Sequence, residues 1–87
     1  MSKTIYSDSG HAWLQVPRVE LAQLGILEQI SGYSYELDGM VYLEEDCDMP
    51  IYIEALPEAE RTGIIYDWED VDSSPIRNYP RFSGGKR

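Results

Sequence analysis

The dipeptide Asp38-Gly39 constrains the fold most strongly, because it separates two runs of residues that favour β-structure, 33–37 and 40–44. A two-residue Asp-Gly connection favours a type I′ hairpin, in which both central residues take positive φ. Side chains alternate between the two faces of a strand, so Val41 and Leu43 should share one face. The sequence therefore predicts an antiparallel hairpin near the middle of the chain.

Three further segments have the composition of strands. Residues 3–6 and 11–16 flank the turn-forming sequence Ser-Asp-Ser-Gly, which predicts a second reversal of the chain. Residues 64–68, four of them β-branched or aromatic, follow Thr62-Gly63 and predict the last strand. With the central hairpin, these segments predict a sheet of about five strands.

Two segments carry helix boundaries as well as apolar residues at helical spacing. Pro17 suits the first turn of a helix, and Gly25 suits its left-handed end. Asp48 is placed to cap a second helix with its side chain, and Pro57 should end that helix. We expect the buried stripe of the second helix to consist of Met49, Ile53 and Leu56.

These patterns predict an α+β fold in which a twisted antiparallel sheet of about five strands is packed by two short helices. With 87 residues, the chain has room for one core, which we assign to residues 1–72. Residues 73–87 form a basic, extended and irregular C-terminal segment, whose end, from residue 83, we expect to be mobile. If this segment docks, its apolar anchors should be Ile76, Tyr79 and Phe82.

Charge is distributed very unevenly along the chain. Between Glu36 and Asp72 there are thirteen acids and one base, which gives this stretch a formal charge of −12. The last fifteen residues hold four bases and no acid, and the whole chain carries −9. This balance argues against direct binding of nucleic acid, which relies on basic patches, and no apolar stretch is long enough for a membrane span. The partner that fits best is a basic protein surface.

The carboxylates suggest a mimic of nucleic-acid phosphates that occupies the basic groove of a DNA- or RNA-binding protein. Exposed aromatic side chains would then supply contact area at the interface. An acidic face that only favours solubility is the opposing interpretation, and a subunit that joins a larger assembly through an uncharged Tyr/Trp patch is another. The candidate acidic contacts are Glu36, Asp38, Glu44, Glu45, Asp46, Asp48, Asp67, Glu69, Asp70 and Asp72. The candidate aromatic contacts are Trp13, Tyr35, Tyr42 and Trp68.

Cys47 and His11 are the only cysteine and the only histidine, and they could form a nucleophile and base in a small enzyme. The carboxylates flanking Cys47 should raise the pKa of its thiol, which opposes this alternative. A zinc site needs three or four nitrogen or sulfur ligands, and residues 44–48 lack the EF-hand pattern, so we predict no metal and no cofactor. A single cysteine and the absence of an apolar leader at the N-terminus are typical of a cytoplasmic protein.

Four segments, GHAWLQVP (10–17), ISGYSY (30–35), VYLEEDCD (41–48) and IRNYPRF (76–82), together resemble a group of small acidic bacterial proteins. Such proteins are carried by phages, plasmids and integrated elements, and the resemblance spans roughly residues 9–82. It implies a genomic setting in which short acidic proteins often counter host defence, as anti-CRISPR and antirestriction proteins do. It thus implies an inhibitor of a nucleic-acid-processing defence system of a bacterial host, and leaves the oligomeric state open, a dimer included.

Overall fold

The structure, a computed structural model, describes residues 2–83 and has an α+β architecture, as predicted. Within those residues there are five β-strands, three α-helices and two short 3₁₀ segments. The strands are β1 (Ser2–Ser7), β2 (Ala12–Pro17), β3 (Tyr35–Leu37), β4 (Met40–Glu44) and β5 (Ile65–Asp70). The helices are α1 (Arg18–Gln23), α2 (Met49–Ala55) and α3 (Glu58–Thr62), and the 3₁₀ segments are Leu27–Gln29 and Pro75–Asn78.

The strands form one mixed sheet in the order β3-β4-β2-β1-β5. Three pairs are antiparallel, but β5 runs parallel to β1, where the sequence had predicted an antiparallel sheet throughout. The pair of β1 and β5 is parallel because β1 and β4 run in the same direction and the connection after β4 lets β5 run that way as well. Residues 45–64 contain α2 and α3, and a crossover of a dozen or more residues is what parallel strands require.

The central hairpin has the predicted geometry. Asp38 and Gly39 take φ values of 53° and 83°, so both residues of the turn lie in the left-handed region. The strands that they join are in the expected register, with Leu37 opposite Met40 and Tyr35 opposite Tyr42. The local preference of Asp-Gly thus decides the structure here.

The main core lies between one face of the sheet and the helices. Leu14 on β2 and Leu43 on β4 are fully buried there, and Leu21 of α1 packs against the same cluster. The predicted stripe of α2 is only partly right, because Tyr52 is its most buried residue at 0% exposure, whereas Met49 and Ile53 are half-buried. Tyr52 tolerates burial because its hydroxyl donates a hydrogen bond of 2.5 Å to Glu20 Oε2.

Helix α1 ends where Gly25 predicted, in a left-handed turn with a φ of 74°. The Gly25 N–H donates to Ala22 O at 3.0 Å, and the Ile26 N–H donates to Leu21 O at 3.1 Å. These two bonds form a Schellman motif, which satisfies carbonyl groups that the helix itself leaves unpaired. The buried side chains of Leu21 and Ile26 accompany it.

The C-terminal segment docks on the domain through the predicted anchors. Ile76 packs with Trp13 and Tyr42 on the second face of the sheet, with Tyr79 against the same cluster, and Phe82 joins the main core. The segment also pairs with β3, because the Glu36 N–H donates to Pro80 O and the Phe82 N–H donates to Ser34 O, both at 2.8 Å. The segment therefore covers one edge of the sheet. Of the end that we predict to be mobile, residues 83–87, the Ser83 N–H donates to Glu36 Oε2, and residues 84–87 lie outside the described part of the chain.

Candidate functional site

One end of the sheet gathers four exposed carboxylates. Because β4 and β5 run in the same direction, Glu45 and Asp46 after β4 lie at the same end as Asp70 and Asp72 of the β5 terminus. Two strands, β2 and β1, lie between β4 and β5, which places the two strand axes about 14 Å apart. We call these four residues the acidic end.

Strand β5 continues this surface along one edge of the sheet. All six of its residues are exposed, and alternation directs Asp67 and Glu69 to one face and Trp68 to the other. The Ser7 hydroxyl hydrogen-bonds the Asp70 carboxylate and so fixes the end of the strand to β1. Of the predicted contacts, β5 and the acidic end bring together seven: Glu45, Asp46, Asp67, Trp68, Glu69, Asp70 and Asp72.

Two other predicted acidic contacts lie elsewhere. Asp38 occupies the hairpin turn at the opposite end of the sheet, so it is not part of the acidic end. Glu36 is half-buried on β3, where Arg18 Nε lies 3.8 Å from Glu36 Oε1 and the Ser83 N–H donates to Glu36 Oε2. The predicted array of carboxylates is therefore divided between two regions of the surface.

Asp48 and Glu44 are buried, which corrects their assignment as surface contacts. Asp48 is 1% exposed and sits at the N-terminus of α2, but its side chain does not cap that helix. Its Oδ2 instead accepts hydrogen bonds from Ser31 Oγ at 2.7 Å and from Ser34 Oγ at 2.5 Å, and the Ser31 N–H also donates to this carboxylate. Glu44 Oε1 accepts from two backbone N–H groups, those of residues 46 and 47. Both carboxylates therefore hold the turn between β4 and α2.

Among the predicted aromatic contacts, only Trp68 is well exposed, at 58%. Trp13 and Tyr42 are buried under the C-terminal segment, which the sequence alone could not place, and a partner cannot reach them. Tyr35 is half-buried with the Arg81 guanidinium 5.2 Å from its ring centre. Exposed apolar side chains that the sequence analysis missed are Ile65 and Tyr66 of β5 and Val71, which directly follows that strand.

Cys47 and His11 line the same cleft, which has a volume of about 430 Å³. Arg77 and Arg81 form part of the cleft wall. Desolvation, followed by the carboxylates of Glu44 and its neighbours, raises the pKa of the Cys47 thiol, as predicted. A raised pKa keeps the thiol protonated at neutral pH, and the thiolate is the form that acts as a nucleophile. Both residues thus line one cleft, but their surroundings do not activate the cysteine.

Arg77 is already paired in this cleft. Its Nε and Nη2 donate to Asp8 Oδ2 and Oδ1 at 2.6 and 2.8 Å, and its guanidinium carbon lies 5.5 Å from the Trp13 ring centre. This bidentate pair and nearby backbone N–H groups hold the pKa of Asp8 well below its ordinary value. Arg77 therefore neutralises Asp8 and not the acidic end.

Within residues 2–83, the three ion pairs are Lys3–Glu20, Arg18–Glu36 and Arg77–Asp8. None of them includes a carboxylate of β5 or of the acidic end. In the same range, no three His, Cys, Asp or Glu side chains are arranged to hold a metal ion. No helix in this part of the chain has the length and apolar character needed to cross a bilayer.

Comparisons with known protein families, with curated proteins and with solved structures find no match for this chain. The fold and the surface therefore define its class by themselves. The protein is a small α+β domain whose β5 edge and acidic end expose carboxylates without a paired base among the described residues.

Proposed function

We propose that this protein is an acidic protein-binding module that occupies the basic groove of a nucleic-acid-binding protein. Its setting would be the cytoplasm of a bacterial host, where it inhibits a nucleic-acid-processing defence system. The observation that carries the proposal is β5, a strand exposed along its whole length with three carboxylates and no base. A surface of this kind attracts a basic partner and raises the association rate.

The charge density of β5 indicates what such mimicry can achieve. Six residues at about 3.3 Å per residue span about 20 Å, so three carboxylates supply one charge per about 7 Å. One DNA strand carries a phosphate per about 3.4 Å of helix axis, roughly twice that density. A basic partner would therefore bind the charges of β5 alone more weakly than it binds DNA. The exposed Trp68 and Ile65 supply apolar contact area that a phosphate backbone lacks.

The test compares two variants with the same change of net charge. One carries Asp67→Lys and Glu69→Lys on β5, and the other carries Glu58→Lys and Glu60→Lys, which are exposed on α3. We expect the unmodified protein to capture a nucleic-acid-binding protein from bacterial lysate, with release by added duplex DNA or high salt. The β5 variant should lose this capture and the α3 variant should retain it.

Equal capture by both variants, or capture that DNA does not displace, would contradict the proposal. The same assay separates the alternatives. A protein that binds through an uncharged aromatic patch should lose capture on Trp68→Ala and keep it on the double charge reversal. A Cys47/His11 enzyme predicts that Cys47→Ser and His11→Ala abolish activity in the cell without any effect on capture.

A further inference from the structure

The two edges of the sheet differ in how their hydrogen-bonding groups are satisfied. At the β3 edge, the chain's own residues 80–82 accept from and donate to the backbone of residues 34–36. At the other edge, β5 pairs with β1 on one side, and no strand within residues 2–83 pairs with its outer side. The chain therefore covers one edge of the sheet and leaves six residues of the other edge open.

The direction of the free N–H groups follows from the ladder between β1 and β5. The Val71 N–H donates to Ser7 O at 2.9 Å, so this residue directs its amide towards β1. Amide groups alternate in direction along a strand, and those of Tyr66, Trp68 and Asp70 therefore point to the open side. Three donors, with their carbonyl groups, are available there for an additional strand.

Charge is the one usual means by which β5 protects this edge. Natural edge strands are blunted by charged side chains, especially lysine, by proline or by a bulge, and Ile65–Asp70 carries three acids but neither lysine nor proline and pairs with β1 without interruption. It also exposes large apolar side chains, with Ile65 at 62% and Trp68 at 58%. The charges on the strand are all negative, so the edge repels acidic strands and attracts basic ones.

We infer that the open edge of β5 receives an extended basic segment of the partner, which adds a sixth strand to the sheet. Main-chain hydrogen bonds to Tyr66, Trp68 and Asp70 supply affinity, as in other cases of strand addition. Basic side chains that alternate with apolar ones meet Asp67 and Glu69 on one face and Trp68 on the other. This inference rests on the proposed function, because it specifies how the acidic surface holds its partner.

A second copy of the chain fits this edge less well. Pairing of two β5 strands would bring Asp67, Glu69 and Asp70 of one copy next to the carboxylates of the other. Like charges opposite each other destabilise a strand pair, and each chain carries a net charge of −9. The charge of the edge therefore selects a basic occupant.

The experiment uses two synthetic peptides of about seven residues, the length of an ordinary strand, with alternating arginine and valine. The second peptide has every backbone nitrogen methylated, so it keeps the charge and side chains but lacks N–H donors. We expect the unmodified peptide to bind at least about tenfold more tightly in a calorimetric titration. Its binding should slow amide hydrogen exchange at Tyr66, Trp68 and Asp70.

Equal affinities for the two peptides would overturn strand addition and leave the proposed function standing, because charge attraction alone would then explain binding. If neither peptide binds while the protein still captures a partner that DNA displaces, strand addition is overturned as well. Amide exchange at Tyr66, Trp68 and Asp70 should also be measured without peptide at several protein concentrations. If it slows as the protein concentration rises, a second copy of the chain is the occupant and the inference is overturned. If neither peptide binds and capture does not respond to charge reversal on β5, the proposed function fails independently.

Discussion

Asp48 places a carboxyl group in the interior, and no base within residues 2–83 pairs with it. Burial of a carboxylate is costly unless hydrogen bonds compensate for lost water, and here Ser31 and Ser34 supply them. Ser34 Oγ in turn accepts from the Glu44 N–H at 2.9 Å, so the network extends to β4. One side chain thus connects the loop before β3, the end of β4 and the start of α2.

We predict that Asp48→Ala destabilises the protein by about 3 kcal/mol, because several hydrogen bonds to the carboxyl group are lost and buried donors remain unpaired. Urea unfolding at neutral pH measures this difference. Asp46→Ala is the matched control, since Asp46 is exposed and should change the unfolding free energy by less than about 0.5 kcal/mol. Similar effects of the two substitutions would show that the serine network contributes little.

At the scale of the element, α1 depends on the conformation of its last turn. Gly25 has a φ of 74°, and no atom lies within 4 Å of the place that a Cβ would occupy, so an added methyl group meets no steric contact. Any cost of a side chain there comes from the left-handed backbone alone.

We therefore predict that Gly25→Ala lowers the unfolding free energy by about 1–2 kcal/mol. Gly32→Ala is the control, because Gly32 has equally open surroundings and no positive φ. Thermal unfolding followed by circular dichroism compares the two variants. A loss of stability at Gly32 as large as that at Gly25 would contradict the conformational explanation.

The elements that the sequence predicted correctly depend on neighbouring residues. The Asp38-Gly39 turn and the glycine end of α1 are examples, because the required φ values restrict the residues at those positions. The parallel direction of β5 was missed, since it depends on how a connection of 20 residues crosses the sheet. Burial of Tyr52 was missed for a similar reason, because its hydrogen-bond partner Glu20 is 32 residues away.

The candidate site was likewise predictable only where it depends on residues that are neighbours in the sequence. The exposed acids of β5 were identified from charge alone. The direction of the Cys47 pKa shift was predicted from the acids beside it, although desolvation is its largest cause and those acids come second. The aromatic contacts were largely misassigned, because Trp13 and Tyr42 are covered by a segment more than 30 residues further along the chain. Alternation within a strand shows which side chains share a face, but not which face the rest of the chain will cover.

At the scale of the whole molecule, the pair between Asp8 and Arg77 joins residues 69 positions apart. It attaches the C-terminal segment to the turn between β1 and β2, and the Asp8 carboxylate also accepts from the Ser74 N–H at 3.1 Å. Because these contacts favour the charged carboxylate, they lower the pKa of Asp8 in the folded protein below its ordinary value of 3.8.

A lowered pKa in the folded state contributes stability that is present above the ordinary value and is lost as the pH falls through the folded value. We predict that Asp8→Asn is less stable than the unmodified protein at pH 7. The difference in unfolding free energy should shrink progressively below about pH 4, because the Asp8 carboxylate of the unfolded chain becomes protonated there while that of the folded protein stays ionised. Urea unfolding of both proteins across this range tests the prediction, and comparison of the two removes the common effect of other carboxylates. A difference that is constant with pH would contradict it.

The parallel pair of β1 and β5 also determines the order in which the sheet can form. Paired residues in these strands are 63 positions apart, and closing so long a loop costs conformational entropy before the contacts stabilise it. The two hairpins involve near neighbours and can assemble earlier. One side of strand β1 therefore stays unpaired until residue 70 has been synthesised, so β5, one of the two outer strands, is the last of the five strands to join the sheet.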